Sequence, residues 1–381
     1  MLRRITMNNF RSFKTKTTVD LTATGYKVLS NTNVYNNTVK GTFFVGANAS
    51  GKTNTIIALK VLFDLLFAER KVNVGMQRCL FSSEASFSLE YEFEFSNTAI
   101  KYYIEYTADK KSFVETLSIQ DEVVLNRIGQ SAKSEITENK LYDDIDANTL
   151  LLREIYFNTK FRNQDVLKEW FDFLMNSVYM DGYRETIFSP GKLDLDIEEY
   201  LESQGADEIN SFFKQFNFNQ RIEYSNSSSG NITKIESLEE KDIFFKREGV
   251  GEPIPFPLES LGNQKLLRLL PAFFHVVKNG GMLIVDEFSS GLHNFLEELL
   301  IKYFMKNSKN SQLFIVSHST NLLSNTLLRP DQIYAVSFNG IEGSTLKRFS
   351  TEQPRVAQNL EKMYTSGVFG GIPDYRDDAV D

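Results

Sequence analysis

Residues Gly46-Ala47-Asn48-Ala49-Ser50-Gly51-Lys52-Thr53 have the spacing G-x-x-x-x-G-K-[ST], and no other feature constrains the fold as strongly. The motif follows a short apolar strand, Thr42-Phe43-Phe44-Val45, and precedes an amphipathic helix from Asn54 to about Phe67. A strand, a glycine loop and a helix in that order form a phosphate cradle. Glycines let backbone N–H groups turn inward at the positive end of a helix. On this reading Gly46, Asn48, Ser50, Gly51 and Asn54 line the cradle. Lys52 supplies a point charge to the β- and γ-phosphates, and the Thr53 hydroxyl is placed to ligate Mg²⁺. ATP and Mg²⁺ are therefore the expected cofactors.

The other candidate groups lie in the last third of the chain. Met282-Leu283-Ile284-Val285-Asp286-Glu287 is an apolar strand ending in two carboxylates, at the strand edge where open α/β sheets bind ligands. Asp286 is expected to hold Mg²⁺ through water, and Glu287 to orient and polarise the attacking water. Upstream, Leu258-Glu259-Ser260-Leu261-Gly262-Asn263-Gln264 opens a helix. Ser260 is suited to cap it and Gly262 to permit close backbone approach. Ile315-Val316-Ser317-His318-Ser319 is a second apolar strand, ending in a histidine. His275, inside a helical pattern, and Cys79 are expected to be structural.

The surrounding pattern indicates an α/β chain. Residues 2–7, 17–22, Ser86–Phe95, Lys101–Tyr106 and Ser112–Ile119 read as strands of an antiparallel lobe. From roughly 120 to 245 the composition turns polar, with its best helix over Asp165–Met180 and a loose loop at Ser225–Gly230. Gly281–Asp286 and Gln312–Val316 read as buried parallel strands. Helices near 262–277, 292–306 and 354–364 are periodic enough to cover them. The expected division is 1–105, an N-terminal part of the core with the antiparallel lobe; 106–250, an inserted, mostly helical lobe; and 251–381, the remainder of the core.

Bulk properties narrow the function. A net charge of −8 argues against a surface coated in nucleic-acid-binding charge. The local exception is Arg3, Arg4, Arg11, Lys14 and Lys16. One cysteine excludes an internal disulfide, and three histidines are too few for a zinc or HNH constellation. No apolar run is long enough to cross a bilayer. A cytoplasmic protein without membrane contact is expected.

Taken together, these motifs resemble the ABC/SMC-type ATPase superfamily, in particular its RecF- and OLD-like branch. The opening Ile5-Thr6-Met7-Asn8-Asn9-Phe10-Arg11-Ser12-Phe13 resembles that branch's first strand and turn. The resemblance places Arg11 near the nucleotide. It also makes Ser260, Gly262 and Gln264 a signature motif that binds the γ-phosphate held by another subunit. Ser289–His293 becomes a D-loop and His318 the switch histidine. The Q-loop glutamine stays open among Gln77, Gln120, Gln130 and Gln164. The tail Lys362–Pro373 resembles the ending of stand-alone ATPases in AbiL- and RloA-like abortive-infection operons. OLD nucleases carry a C-terminal Toprim domain, for which the chain after its last expected helix leaves no room; an ATPase without its own nuclease is expected. The resemblance implies an ATP-dependent homodimer or higher homo-oligomer, acting as a nucleotide-gated regulator of a separate effector such as a nuclease or toxin. The alternative is a RecF-like repair or recombination ATPase that clamps DNA, so DNA is a further candidate partner. The long separation of Lys52 from Ser260 argues against a transporter subunit.

Overall fold

The computed structural model describes residues 1–69, 73–136, 138, 140–236 and 240–372. Its frame is two sheets with the P-loop helix between them. The antiparallel sheet runs 140–142, 131–134, 122–128, 112–119, 98–107, 86–95, 2–8 and 17–20 in spatial order. Ser86–Phe95 shows why: its side chains alternate strictly between buried and half-buried, as a strand with one wet face requires.

The central sheet has the order 186–188, 178–181, 281–286, 311–316, 41–45, 333–338, 344–348. Its four middle pairings are parallel. Gly41–Val45, Gly281–Asp286 and Ser311–Val316 are buried on both faces, which explains their unbroken apolar runs. Met282, Ile284, Phe314 and Val316 pack toward the P-loop helix and the antiparallel sheet. Leu283, Val285, Leu313 and Ile315 face a second core formed with the helices Leu261–Asn279 and Asn294–Asn307.

The P-loop helix, Lys52–Phe67, differs from an amphipathic surface helix. Most of it is buried, because both sheets press on it. Tyr91 of the antiparallel sheet donates from its hydroxyl to the Ala58 carbonyl at 2.6 Å. Lys60, which donates to Asp64 one turn on at 2.7 Å, marks its wetter edge.

Residues 106–250 carry strands as well as helices, where the sequence suggested a mostly helical lobe. Strands 112–119 to 140–142 extend the antiparallel sheet without a break. The expected helix over 165–180 stops at Met175. Asn176 and Ser177 turn the chain, and Val178–Asp181 enters the central sheet beside Gly281–Asp286. The Ser177 hydroxyl fixes the junction: it donates to the Phe173 carbonyl at 2.8 Å and accepts from the Met282 N–H at 2.9 Å. Helices Ile197–Gln204 and Asp207–Gln215 then cover the second core. The Ser225–Gly230 stretch includes a short strand, 227–229. The last helix among the described residues is Leu360–Thr365, shorter than the expected 354–364 at its start. Pro373, quoted above for its resemblance, lies outside the described residues. No helix of the described residues is long and apolar enough to cross a membrane.

Candidate functional site

The P-loop strand ends at Val45, and the chain turns through Gly46 and Gly51, both in the left-handed φ range at 159° and 104°. Close packing adds to the demand for glycine. A Cβ on Gly46 would stand 2.4 Å from the Val336 carbonyl oxygen, and one on Gly51 would stand 2.4 Å from the Ser344 hydroxyl. The floor of the loop is therefore fixed by the neighbouring strands. Ser344 also donates to the Ser50 carbonyl at 2.6 Å, and the Ala47 N–H donates to Gly371 at 2.8 Å. Asn48 is exposed at the loop tip. Asn54 donates to the Ser12 hydroxyl at 2.7 Å, which locks the turn after the first strand against the P-loop helix.

Lys52 donates to the Gly46 and Ala47 carbonyls at 3.0 and 2.8 Å. Burial lowers its pKa, and the charges of Glu287 and Asp286 oppose that shift. The Thr53 hydroxyl lies 3.2 Å from Asp286 Oδ1. Asp286 is buried, and burial pushes its pKa up to about 6 against the pull of the Thr53 hydrogen bond; Glu287 and Asp181 add to the rise. A hydroxyl and a carboxylate this close fit Mg²⁺, which takes one or two protein ligands and fills its sphere with water and phosphate oxygens. Among the described residues no cluster of three His, Cys, Asp or Glu is placed to hold a metal. The buried Ser50 hydroxyl has no hydrogen-bond partner among the described residues. It lies inside the loop, 2.8 Å from where a Gly46 Cβ would be, and fits a phosphate-binding loop.

Glu287 follows Asp286 with φ 55°, a left-handed backbone that is uncommon outside glycine. Its carbonyl accepts from the Ser290 N–H at 3.0 Å, so the turn is hydrogen-bonded. His318, after the neighbouring strand, brings Nε2 to 3.4 Å from Glu287 Oε1. The segments after these two strands also meet at Ser289 and Ser317, whose hydroxyls are 2.5 Å apart. Lys52, Thr53, Asp286, Glu287 and His318 are thus joined through direct or charge contacts at the carboxyl edge of the central sheet.

Arg11 also has φ above zero, at 51°. It donates from Nε to Gln77 Oε1 at 2.8 Å. Burial lowers its pKa, offset by Tyr179, which in turn feels Asp286. Of the four open glutamines, Gln77 is the one against a residue assigned to the nucleotide. Gln120 and Gln130 lie at turns of the antiparallel sheet, and Gln164 precedes a helix.

Ser260 caps the helix Leu261–Asn279 by accepting from the Asn263 N–H. Ser260 is exposed, as are Leu258 at 77% and Leu261 at 69%. A Cβ on Gly262 would stand 2.7 Å from the Gly291 carbonyl oxygen, so this turn lies against the segment Ser289–His293. Gln264 turns back to the Glu259 carbonyl at 2.9 Å. Lys265 extends the contact by donating to the Ser290 hydroxyl at 2.9 Å. His275 is tied to Asn176 at 3.1 Å and to Asn279, and Cys79 is buried.

Sequence reasoning missed Asp181 and Gly182. Asp181 is the register partner of Asp286 in the next strand. The Gly182 N–H donates to the Asp286 carbonyl at 2.9 Å, and a Cβ there would meet the Glu287 carbonyl oxygen at 2.9 Å. The signal available was the dipeptide Asp181-Gly182, but nothing in it points to a particular strand.

Two sheets enclosing the P-loop helix, with a P-loop, an acidic strand end and a histidine strand end on one edge, give the chain the fold of an ABC/SMC-type P-loop ATPase core. Residues 42–324, well over half of the chain, match the family described as "AAA domain, putative AbiEii toxin, Type IV TA system", and the chain belongs to that family. No curated protein matches it. Among solved structures it is similar to the SmcHead bound to the C-winged helix domain of ScpA, at 12% identity and TM-score 0.50, covering 91% of this chain and 96% of that one. It is also similar to the SMC head domain from Thermotoga maritima, at 15% identity and TM-score 0.49, covering 91% of this chain and 97% of that one. At 12% identity the likeness to the SmcHead structure concerns the fold alone.

Proposed function

We propose that this chain is an Mg²⁺-dependent ATPase that acts as a nucleotide-gated regulator in a prokaryotic anti-phage system and controls a separate effector. The observation that carries the ATPase reading is the Thr53–Asp286 pair beside Lys52, with Glu287 and His318 in contact next to it. Phosphoryl transfer asks a protein mainly to position groups and stabilise charge, and these five side chains supply both. The family description, which names a toxin–antitoxin system, supports the defence setting. Arg11, Gly46, Asn48, Ser50, Gly51 and Asn54 complete the proposed nucleotide site. In cells, the native operon should protect bacteria from some phages, and Lys52→Ala should remove that protection. A gene whose loss instead sensitises cells to DNA damage, with turnover stimulated by DNA alone, would replace this reading with the RecF-like one.

The exposed turn at Ser260, flanked by exposed Leu258 and Leu261, supports a nucleotide-dependent homodimer. In that dimer Ser260, Gly262 and Gln264 of each copy meet the ATP held by Lys52 of the other across a two-fold axis. Ser260→Arg places bulk and charge in that interface. It should leave ATP binding to the monomer unchanged while abolishing ATP-dependent association and cooperative hydrolysis. Light scattering with and without ATP reads the first effect, phosphate release the second. Parent-like association and turnover by this variant would end the dimer proposal.

A further inference from the structure

The exposed turn that opens the Leu261–Asn279 helix has hydrogen bonds of its own and is also gripped from outside. Two antiparallel strands of the middle segment, Gln220–Ser225 and Asp242–Arg247, lie beside it. Their register pairs Gln220 with Arg247. Both side chains of this one cross-strand pair reach the turn, on either side of Ser260. Arg247 donates to Glu259 Oε1 at 2.5 Å. Gln220 and Asn263 exchange two amide hydrogen bonds, at 3.1 and 3.3 Å. Glu259 Oε1 also accepts the Ser260 N–H at 2.6 Å, so the carboxylate that Arg247 holds is the one that orients Ser260.

We propose that this hairpin is a clamp that sets the position of Ser260, with Arg247 and Gln220 as its positioning residues. The clamp is how the middle segment communicates with the ATP site. The inference rests on the reading of Ser260 as a contact for ATP bound to a second copy.

The energetics favour a strong coupling. The Glu259 side chain is 2% exposed while Arg247 is 30% exposed. Glu259 Oε2 is buried with no hydrogen-bond partner among the described residues. The buried carboxylate is held by the Ser260 N–H and Asn263 together with the charge of Arg247, and losing its cationic partner is costly. The contact is a single one, from one guanidinium nitrogen to Glu259 Oε1, so a lysine ammonium could replace part of it. The other end of the clamp is anchored too. The Asn210 side chain donates to the Ile222 carbonyl at 2.9 Å and accepts its N–H at 2.8 Å. This ties the strand to the helix Asp207–Gln215. Ile222, Ile243 and Phe245 sit in the same core as that helix and the helix that Ser260 caps. A partner that shifts the hairpin must shift the Ser260 turn with it.

The test uses the full chain. Hydrogen–deuterium exchange of the Ser260–Gln264 amides reads the clamp in the free protein, and steady-state ATP hydrolysis reads its consequence. Arg247→Ala should speed exchange at those amides and lower kcat by roughly tenfold to a hundredfold, the worth of one charge-assisted hydrogen bond. Monomer nucleotide affinity should stay close to the parent's, because the P-loop is untouched. Arg247→Lys should recover part of the loss. Gln220→Ala should move both readouts in the same direction by a smaller factor, and it decides the matter alone should Arg247→Ala fail to fold. Parent-like exchange in the folded variants would overturn the clamp, whatever their turnover. Faster exchange with parent-like turnover would overturn its role in positioning. Normal hydrolysis by Ser260→Arg is a separate failure: it removes the dimer reading and leaves the exchange result standing.

Discussion

A Glu287→Gln protein is expected to bind ATP about as tightly as the parent and to hydrolyse it at least ~100-fold more slowly, the lower end of what a positioned general base contributes. The substitution keeps the shape of the side chain and removes the carboxylate. Its surroundings explain why little else should change. The left-handed backbone at residue 287 is held by the Ser290 N–H and by the close approach of Gly182. Such a conformation in a non-glycine residue costs about 1 kcal/mol and persists only where neighbours over-determine it. The geometry thus aims one acid out of the strand end, beside His318 and one residue beyond Asp286. Nucleotide binding followed by single-turnover phosphate release separates the two effects. Turnover at the parent rate would take Glu287 out of the catalytic role. Lost binding would mean that the carboxylate holds the nucleotide instead.

The groups in that prediction were legible in the sequence because each sits at a fixed place in a local pattern. Lys52 and Thr53 close a glycine loop, Asp286 and Glu287 end an apolar run, and His318 ends another. What the sequence hid was made by pairing between distant strands. Asp181 meets Asp286 only because Val178–Asp181 docks parallel to Gly281–Asp286, and the periodic pattern up to Met180 reads equally well as more helix. Arg11 meets Gln77 across a loop. Arg247 and Gln220 reach Ser260 from a hairpin whose register no local signal reveals. The strands over 122–142 were obscured for another reason. One face is wet and carries Glu122, Asn126 and Lys133, so a polar composition concealed an alternating pattern. The P-loop helix misled in the opposite sense. Lys60 and Asp64 gave it a polar side, while two sheets bury most of the rest.

The second large effect is a trade of stability against function at Asp286. Asp286→Asn is expected to make the free protein more stable at pH 7.5, while it abolishes the gain that magnesium and ATP together confer. Burial raises the Asp286 pKa from 3.8 to about 6, so the fold prefers the protonated acid. The stability this preference contributes is complete below the unfolded pKa, near pH 4, and is lost as pH rises through about 6. At pH 7.5 the ionised, buried carboxylate costs the free protein about 2–3 kcal/mol, at roughly 1.4 kcal/mol per pKa unit. Asparagine removes the charge and keeps an oxygen for the Thr53 hydroxyl, now 3.2 Å from Asp286 Oδ1. The melting temperature should therefore rise by a few degrees at pH 7.5 and by about half as much at pH 5, because the preference is only fully regained below about pH 4. In the parent, a divalent cation held with phosphate should restore what the charge costs, because ligands of the native state stabilise by mass action. Thermal melts at the two pH values, with and without magnesium and ATP, give all four comparisons. A variant no more stable than the parent at pH 7.5 would show that the Asp286 charge is not a burden on the free fold. One that still gains the parent's full increment from magnesium and ATP would show that the metal is held elsewhere.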